Sequence, residues 1–321
     1  MSKEHDVICI GLITANIPIY PVSNAVFDAD VTMVNRLDIV PGGDASNQAI
    51  VLSRLGRKTG LCAKIGPDLF GRCLTEGVEK NNVDTSAVVV DNSVSTSGCA
   101  VLIHKNGSRH FLVYREANEQ FSLDEIPIAK ILNSHIISIG SLLALPLFKE
   151  NKLTEFLKKA REQGVITASD TKDDNYHVGW KGIKDSLKYI DYFLPSYVEA
   201  SYLSEETEPG RIADFFMNAG VKNLIIKMGA QGCYLRSAGR EEIVPTFEAE
   251  VIDTTGAGDN FVAGFLHALL YGWDILECCK FANAVAAIST TKIGAVTAVE
   301  SEIQVKEYMQ THNLERNTYG V

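Results

Sequence analysis

Six short apolar runs recur through the chain, and their spacing limits what it can fold into. They are DVICIG (6–11), TGLCAKI (59–65), HIISI (135–139), VITAS (165–169), IDYFL (190–194) and NLIIKM (223–228). Each suits a buried strand, and helical patterns lie between several of them. KENKLTEFLKKAREQ (149–163), closed by Gly164, is one example. Strands separated by helices argue for an α/β fold with a doubly wound, mainly parallel sheet flanked by helices.

Two stretches break the rhythm. SGCAVLIHKNGSRHFLVY (97–114) reads as two β-rich arms around Asn106-Gly107. That pair favours a hairpin because both central residues of a type I′ turn need φ > 0. Residues 17–40 also lack a helical period and alternate in places. We therefore expect a core from 1–11, 41–96 and 119–321, with 12–40 and 97–118 forming a small antiparallel β lid. Only the polar last residues, THNLERNTYGV, look loose.

Charge and composition exclude some partners. Forty acids against 30 Lys and Arg give a formal net charge of −10, a field that repels polyanions, so no nucleic-acid partner is expected. A small phosphate ligand is still allowed, because backbone amides bind one without net positive charge. The seven cysteines are odd in number, form no CxxC and mostly sit in apolar stretches, which suits reduced, buried thiols. No uninterrupted apolar stretch reaches the ~18 residues that span a bilayer, and no signal segment precedes VICIGL. No membrane association and a cytoplasmic location are expected.

The stretch VIDTTGAGDNFVAGFL (251–266) carries the chemistry. Apolar residues at Phe261, Phe265 and Leu269, and at Val262, Leu266 and Leu270, mark a helix that ends near Gly272. Thr255-Gly256-Ala257-Gly258 then forms the turn entering it. Its orphan N–H groups and the helix dipole make a site for a transferring phosphoryl group. Asp259 in the first turn reads either as a helix cap or as the group that orients an incoming hydroxyl and takes its proton.

DTTGAGDNFVAGF resembles the PfkB (ribokinase-like) carbohydrate kinase signature DTxGAGDxFxAGF at every fixed position. PGGDASNQAIVLSRLG (41–56), IGPDLFG (65–71) and KMGAQG (227–232) resemble three further family motifs in the family's order, so the resemblance spans essentially the whole chain. It implies ATP-dependent transfer of a phosphoryl group to an alcohol of a sugar or sugar acid, with Asp259 as base and Gly256, Ala257 and Gly258 as the anion hole. It also implies sugar contacts from Gly42, Gly43 and Asn47, a nucleotide turn at Lys227, Gly229 and Gly232, and Asn283 near adenine. Asp253 and the backbone of Thr255 match part of a monovalent-cation (K+) site of many members, with Gly294 nearby. A homodimer through the lid is expected, since lid-to-lid dimers occur in this family.

Three departures qualify the match. LPSYVEASYL places Ser196 where the NxxE motif that organises Mg2+ and ATP has Asn, leaving Glu199 to act through water. GLITAN places Asn16 where some sugar-binding members have Asp. Asp44 stands where ribokinases often have Lys. Together they argue against ribose. DTKDDNY (170–176) resembles a DxNxR-like run with Lys172 near the phosphates, although a solvated charged loop is the plainer reading. A nucleoside kinase of the same fold and an inactive sugar-binding relative remain as alternatives. A dinucleotide-binding oxidoreductase is disfavoured, because Phe261 occupies the third glycine position of a GxGxxG.

Overall fold

The computed structural model describes residues 3–105 and 108–314. The expected Asn106-Gly107 turn and the tail from 315 to 321 lie outside the described residues.

In the strand His5–Ile10, Val7 and Cys9 pack into one hydrophobic cluster while Ile8 and Ile10 pack into another on the opposite face. A strand apolar on both faces needs a layer of helices on each side. The first cluster is filled by Asp44–Arg54, Ala257–Leu269 and Ile275–Ser289. The second is filled by Glu150–Glu162, Tyr197–Ser204 and Pro209–Asn218. The result is a three-layer α/β core.

The large sheet has eight strands, in the order Arg240–Val244, Cys233–Ser237, Leu224–Lys227, Tyr192–Phe193, Ile166–Ser169, Ser134–Ile139, His5–Ile10 and Thr59–Cys62. All neighbours are parallel except the last two pairings at the Arg240 edge, which are antiparallel. All six apolar runs contribute a strand to it. His5–Ile10 lies between Ser134–Ile139 and Thr59–Cys62, so the chain order reverses there. In open α/β sheets such a switch point leaves a crevice at the strands' carboxyl ends, where ligands bind.

The second sheet is the expected lid. Thr14–Tyr20 pairs antiparallel with Arg36–Leu37 and Val40–Gly42, and Gly98–Ile103 pairs antiparallel with Arg109–Tyr114. The two segments join through a parallel pairing of Thr14–Tyr20 with Gly98–Ile103. Val40–Gly42 runs straight into the Asp44 helix, so the last strand of the small sheet's first segment hands the chain directly to the core. Among the described residues no helix is long and apolar enough to cross a membrane. All seven cysteines are free thiols, and six of them are buried.

Candidate active site

Two helix starts face each other across the crevice. The first follows Gly43, whose φ of +94° and close approach to the Leu12 carbonyl leave no room for a side chain. The turn is tied by Ser46 Oγ, which donates to Gly42 O at 2.8 Å, and the Asn16 amide packs over Gly42. The second follows Gly256, at φ +75°, where an added Cβ would fall 2.6 Å from the Ala295 methyl. Asn260 Nδ2 closes that turn by donating to Gly256 O at 2.8 Å and Ala295 O at 2.7 Å.

Asp259 is the third residue of its helix and caps nothing; Gly256 is the N-cap and no side chain caps the turn. Its carboxylate instead accepts a hydrogen bond from Asn47 Nδ2 at 2.7 Å, joining two motifs 212 residues apart. Burial raises the Asp259 pKa well above the usual carboxylate range. The nearby Asp44 charge adds to this, outweighing Lys172 and the Asn47 bond.

Carboxylates dominate the crevice. Asp44, Asp170, Glu199 and Asp259 line it with Lys172 and Lys227 among them. Lys227 Nζ meets Asp170 Oδ2 at 2.6 Å, and Lys172 Nζ lies 3.4 Å from Asp44 Oδ1. Burial pushes Asp170 up to about 7, even with Lys227 pulling the other way. Burial acts to lower the Lys227 pKa, but Asp170, Glu199 and Asp259 outweigh it and hold the amine above its ordinary value. The Asp44 carboxylate beside it raises Lys172 in the same sense. An excess of carboxylate oxygens over amines is a donor set that suits a hard divalent cation.

Glu199 sits in a capping box. Its Oε2 accepts from Ser196 N at 2.8 Å and from Thr171 Oγ1 at 2.8 Å, while Ser196 Oγ accepts from Glu199 N at 3.3 Å. Serine here caps the helix that presents the glutamate, a task its hydroxyl performs well.

The sequence candidates divide into three groups. Gly256, Ala257, Gly258, Asp259, Glu199, Lys227, Gly229, Gly232 and Asn283 line one cavity of about 550 Å3. The apolar side chains Phe247, Ala286 and Ala287 are part of the same lining. Asn283 donates Nδ2 to Val244 O at 3.0 Å and Pro245 O at 3.1 Å. Asn16, Gly42, Gly43 and Asn47 do not line that cavity; they gather at the start of the Asp44–Arg54 helix and meet it through Asp44, which lines it, and through the Asn47–Asp259 bond. Asp253 and Thr255 do not line the cavity; both are engaged by Arg109 of the lid.

The run 170–176 is solvated only in its second half, where Asp173 and Asn175 are exposed. Asp170 and Thr171 are buried, and the half-buried Lys172 holds its amine 3.4 Å from the Asp44 carboxylate. They follow directly on the strand Ile166–Ser169, at the carboxyl end where a parallel sheet collects its ligand-binding groups. That placement was the available signal. Arg109 had none, being one polar residue in an alternating arm.

Residues 4–302 match the model of the pfkB family carbohydrate kinases. The chain belongs to this family. Fructokinase-1 of Zea mays is 28% identical over 288 residues, covering 84% of this chain and 88% of the relative. An uncharacterized sugar kinase of Archaeoglobus fulgidus is 32% identical over 250 residues, covering 76% and 96% respectively. The fold is similar to that of a fructokinase from Vibrio cholerae, solved with fructose, ADP and a calcium ion. There the TM-score is 0.79 at 22% identity, covering 94% of this chain and 98% of that one. The protein is thus a pfkB carbohydrate kinase. In pfkB terms, its signature motif supplies the second helix start and its N-terminal motif the first.

Proposed function

We propose that this kinase transfers the γ-phosphoryl group of ATP to a hydroxyl of a sugar or sugar acid, with Asp259 as general base. The observation that carries the reading is the Asn47–Asp259 hydrogen bond across the crevice. It ties the Asp44–Arg54 helix to a buried carboxylate of raised proton affinity in the first turn after Gly256, which supports a base held beside the Gly256–Gly258 amides. The amides and helix dipole stabilise charge on the transferring group, while Asp259 orients the attacking hydroxyl and accepts its proton late in a loose transition state. The adenine ring packs beside Phe247 and Ala286, and Gly229 and Gly232 let the chain pass close to the nucleotide. Mg2+, held through water by Glu199, would supply charge neutralisation on the bridging phosphate oxygens.

The fructokinases among its relatives make a ketohexose the first acceptor to try. Asn16 at the sugar-side turn supplies both a donor and an acceptor to a polyol, in place of a charged bidentate acceptor. The test is acceptor-dependent ADP release across D-fructose, other ketoses and aldoses, sugar acids and nucleosides. A sugar or sugar acid is expected to give the highest kcat/KM. Best turnover with a nucleoside would move the acceptor assignment. ADP release that no acceptor stimulates would remove the kinase reading.

A further inference from the structure

The turn in front of the anion hole already holds a cation, and the lid supplies it. Asp253 is only 7% exposed, and both its oxygens are engaged. Oδ1 accepts from Thr255 N at 2.8 Å and from Arg109 Nη1 at 2.5 Å, and Oδ2 accepts from Gly294 N at 2.8 Å. The same Arg109 nitrogen donates to Thr255 Oγ1. Arg109 opens the second arm of the lid hairpin, 144 residues before Asp253 in the chain. Thr255 directly precedes Gly256, the N-cap of the helix that carries Asp259. One guanidinium therefore clamps the lid to the base of the anion hole. Asp253 and Thr255 match a monovalent-cation site of the family, but the residues present do not fit a free ion there. The carboxylate has its positive partner within the chain, and a guanidinium stays charged at any working pH.

We propose that Arg109 is the resident cation of the Asp253–Thr255 turn, a positioning residue that couples lid closure to the geometry of the anion hole, so that the native enzyme works without a bound alkali-metal ion. An ion entering the turn would have to displace a partly buried, charge-assisted pair whose cationic half is tethered nearby. Lifting the lid separates that pair and releases Thr255 together with it. The anion hole is therefore held fully in shape only when the lid covers it.

The experiment compares KCl with choline chloride at constant ionic strength, for wild type, Arg109→Ala and Arg109→Lys. Its melting arm needs no substrate and does not depend on the kinase reading; its kinetic arm does. Wild type and Arg109→Lys should melt at the same temperature in both salts. Arg109→Ala, with its turn vacated, should melt higher in KCl by about 2 °C, the scale of a weakly held ion at excess. In turnover, with the best acceptor found, Arg109→Ala should lose about tenfold in kcat, the scale of one partly buried ion pair. KCl or millimolar guanidinium should restore most of that loss, and Arg109→Lys should keep more activity than Arg109→Ala. A wild-type melting temperature or kcat that rises with KCl would overturn the proposal. So would an Arg109→Ala protein that gains nothing from either cation. If no acceptor is phosphorylated, the kinase reading fails and the melting arm alone decides the fate of Arg109.

Discussion

The core and the lid solve different burial problems. In the core, His5–Ile10 and Ser134–Ile139 are covered on both faces, and their side chains are almost wholly buried. In the lid, Gly98–Ile103 buries every second residue, Cys99, Val101 and Ile103, and Arg109–Tyr114 buries none. A two-sided sheet positions groups rigidly, because every strand is held from above and below. A one-sided sheet is held by what its polar tips reach, here Arg109 on Asp253. Changes at the core's carboxyl ends should therefore strike chemistry, and changes in the lid should strike closure and association.

The largest expected effect is at Asp259. Asp259→Asn keeps the size and can still bond Asn47, but it cannot accept the hydroxyl proton. Turnover should fall by ~10²–10⁴, the scale for a positioned acid–base group, with ATP affinity nearly unchanged. The pH profile sharpens this. A base must be ionised to accept the proton, so in the proposed role of Asp259 kcat/KM should fall as pH drops through its pKa in the free enzyme. Burial and the Asp44 charge have raised that pKa, so the acid limb should lie above the ordinary carboxylate range. Asp44→Asn removes the larger of the two carboxylate charges that add to burial in raising that pKa, Asp170 being the other, and should move the limb to lower pH. An acid limb that stays fixed in Asp44→Asn would separate it from Asp259.

A smaller core effect is expected at Glu199. Glu199→Gln keeps an oxygen for Ser196 N and Thr171 Oγ1 but removes one negative charge. The Mg2+ concentration for half-maximal rate should rise several-fold, roughly the ~1 kcal/mol of one solvent-separated charge interaction. An unchanged Mg2+ titration would leave Glu199 a helix cap and nothing more.

How much of this was readable beforehand follows the same division. All six core runs became strands because continuous apolar sequence has one use in a doubly wound sheet. The Gly256 turn and the place of Asp259 in the first turn of its helix were readable because the features are local: the turn, the helix start and the carboxylate all fall within a few residues. The two segments of the small sheet showed in their alternation and were expected to form one antiparallel sheet; what did not show is that they join in parallel, since the pairing of Thr14–Tyr20 with Gly98–Ile103 is a long-range contact. Asp170, Lys172 and Arg109 looked like ordinary surface charge. Their roles come from partners 128 to 144 residues away in the chain for Lys172 and Arg109, and 57 away for Asp170. Charge in a sequence carries no record of such partners.

The smallest effect on chemistry, and the most telling about the lid, should come from its outer face. Register sets that face: Cys99 lies opposite Val113, Val101 opposite Phe111 and Ile103 opposite Arg109. Arg109 reaches the core, so Val101 and Ile103 share the inward side with it. The alternate residues Leu102 and Leu112, with Ile19 beside Leu102, then look away from the crevice. Leu112 is 61% exposed, and Leu37, opposite Ile19 at the other edge of the sheet, is 66% exposed, so this side leaves apolar surface uncovered. Such patches mark association surfaces, and we propose a two-fold dimer through it. Leu112→Asp should shift the protein towards monomer in light scattering, with kcat changed by less than ~2-fold because the clamp at Arg109 is untouched. Ile103→Asp, on the inward side, should instead raise the acceptor KM by disturbing the lid's cover. A wild type that is monomeric at every concentration would end the dimer proposal. A Leu112→Asp monomer with greatly reduced kcat would show that closure depends on association, and that the lid is not the independent cover that its one-sided burial suggests.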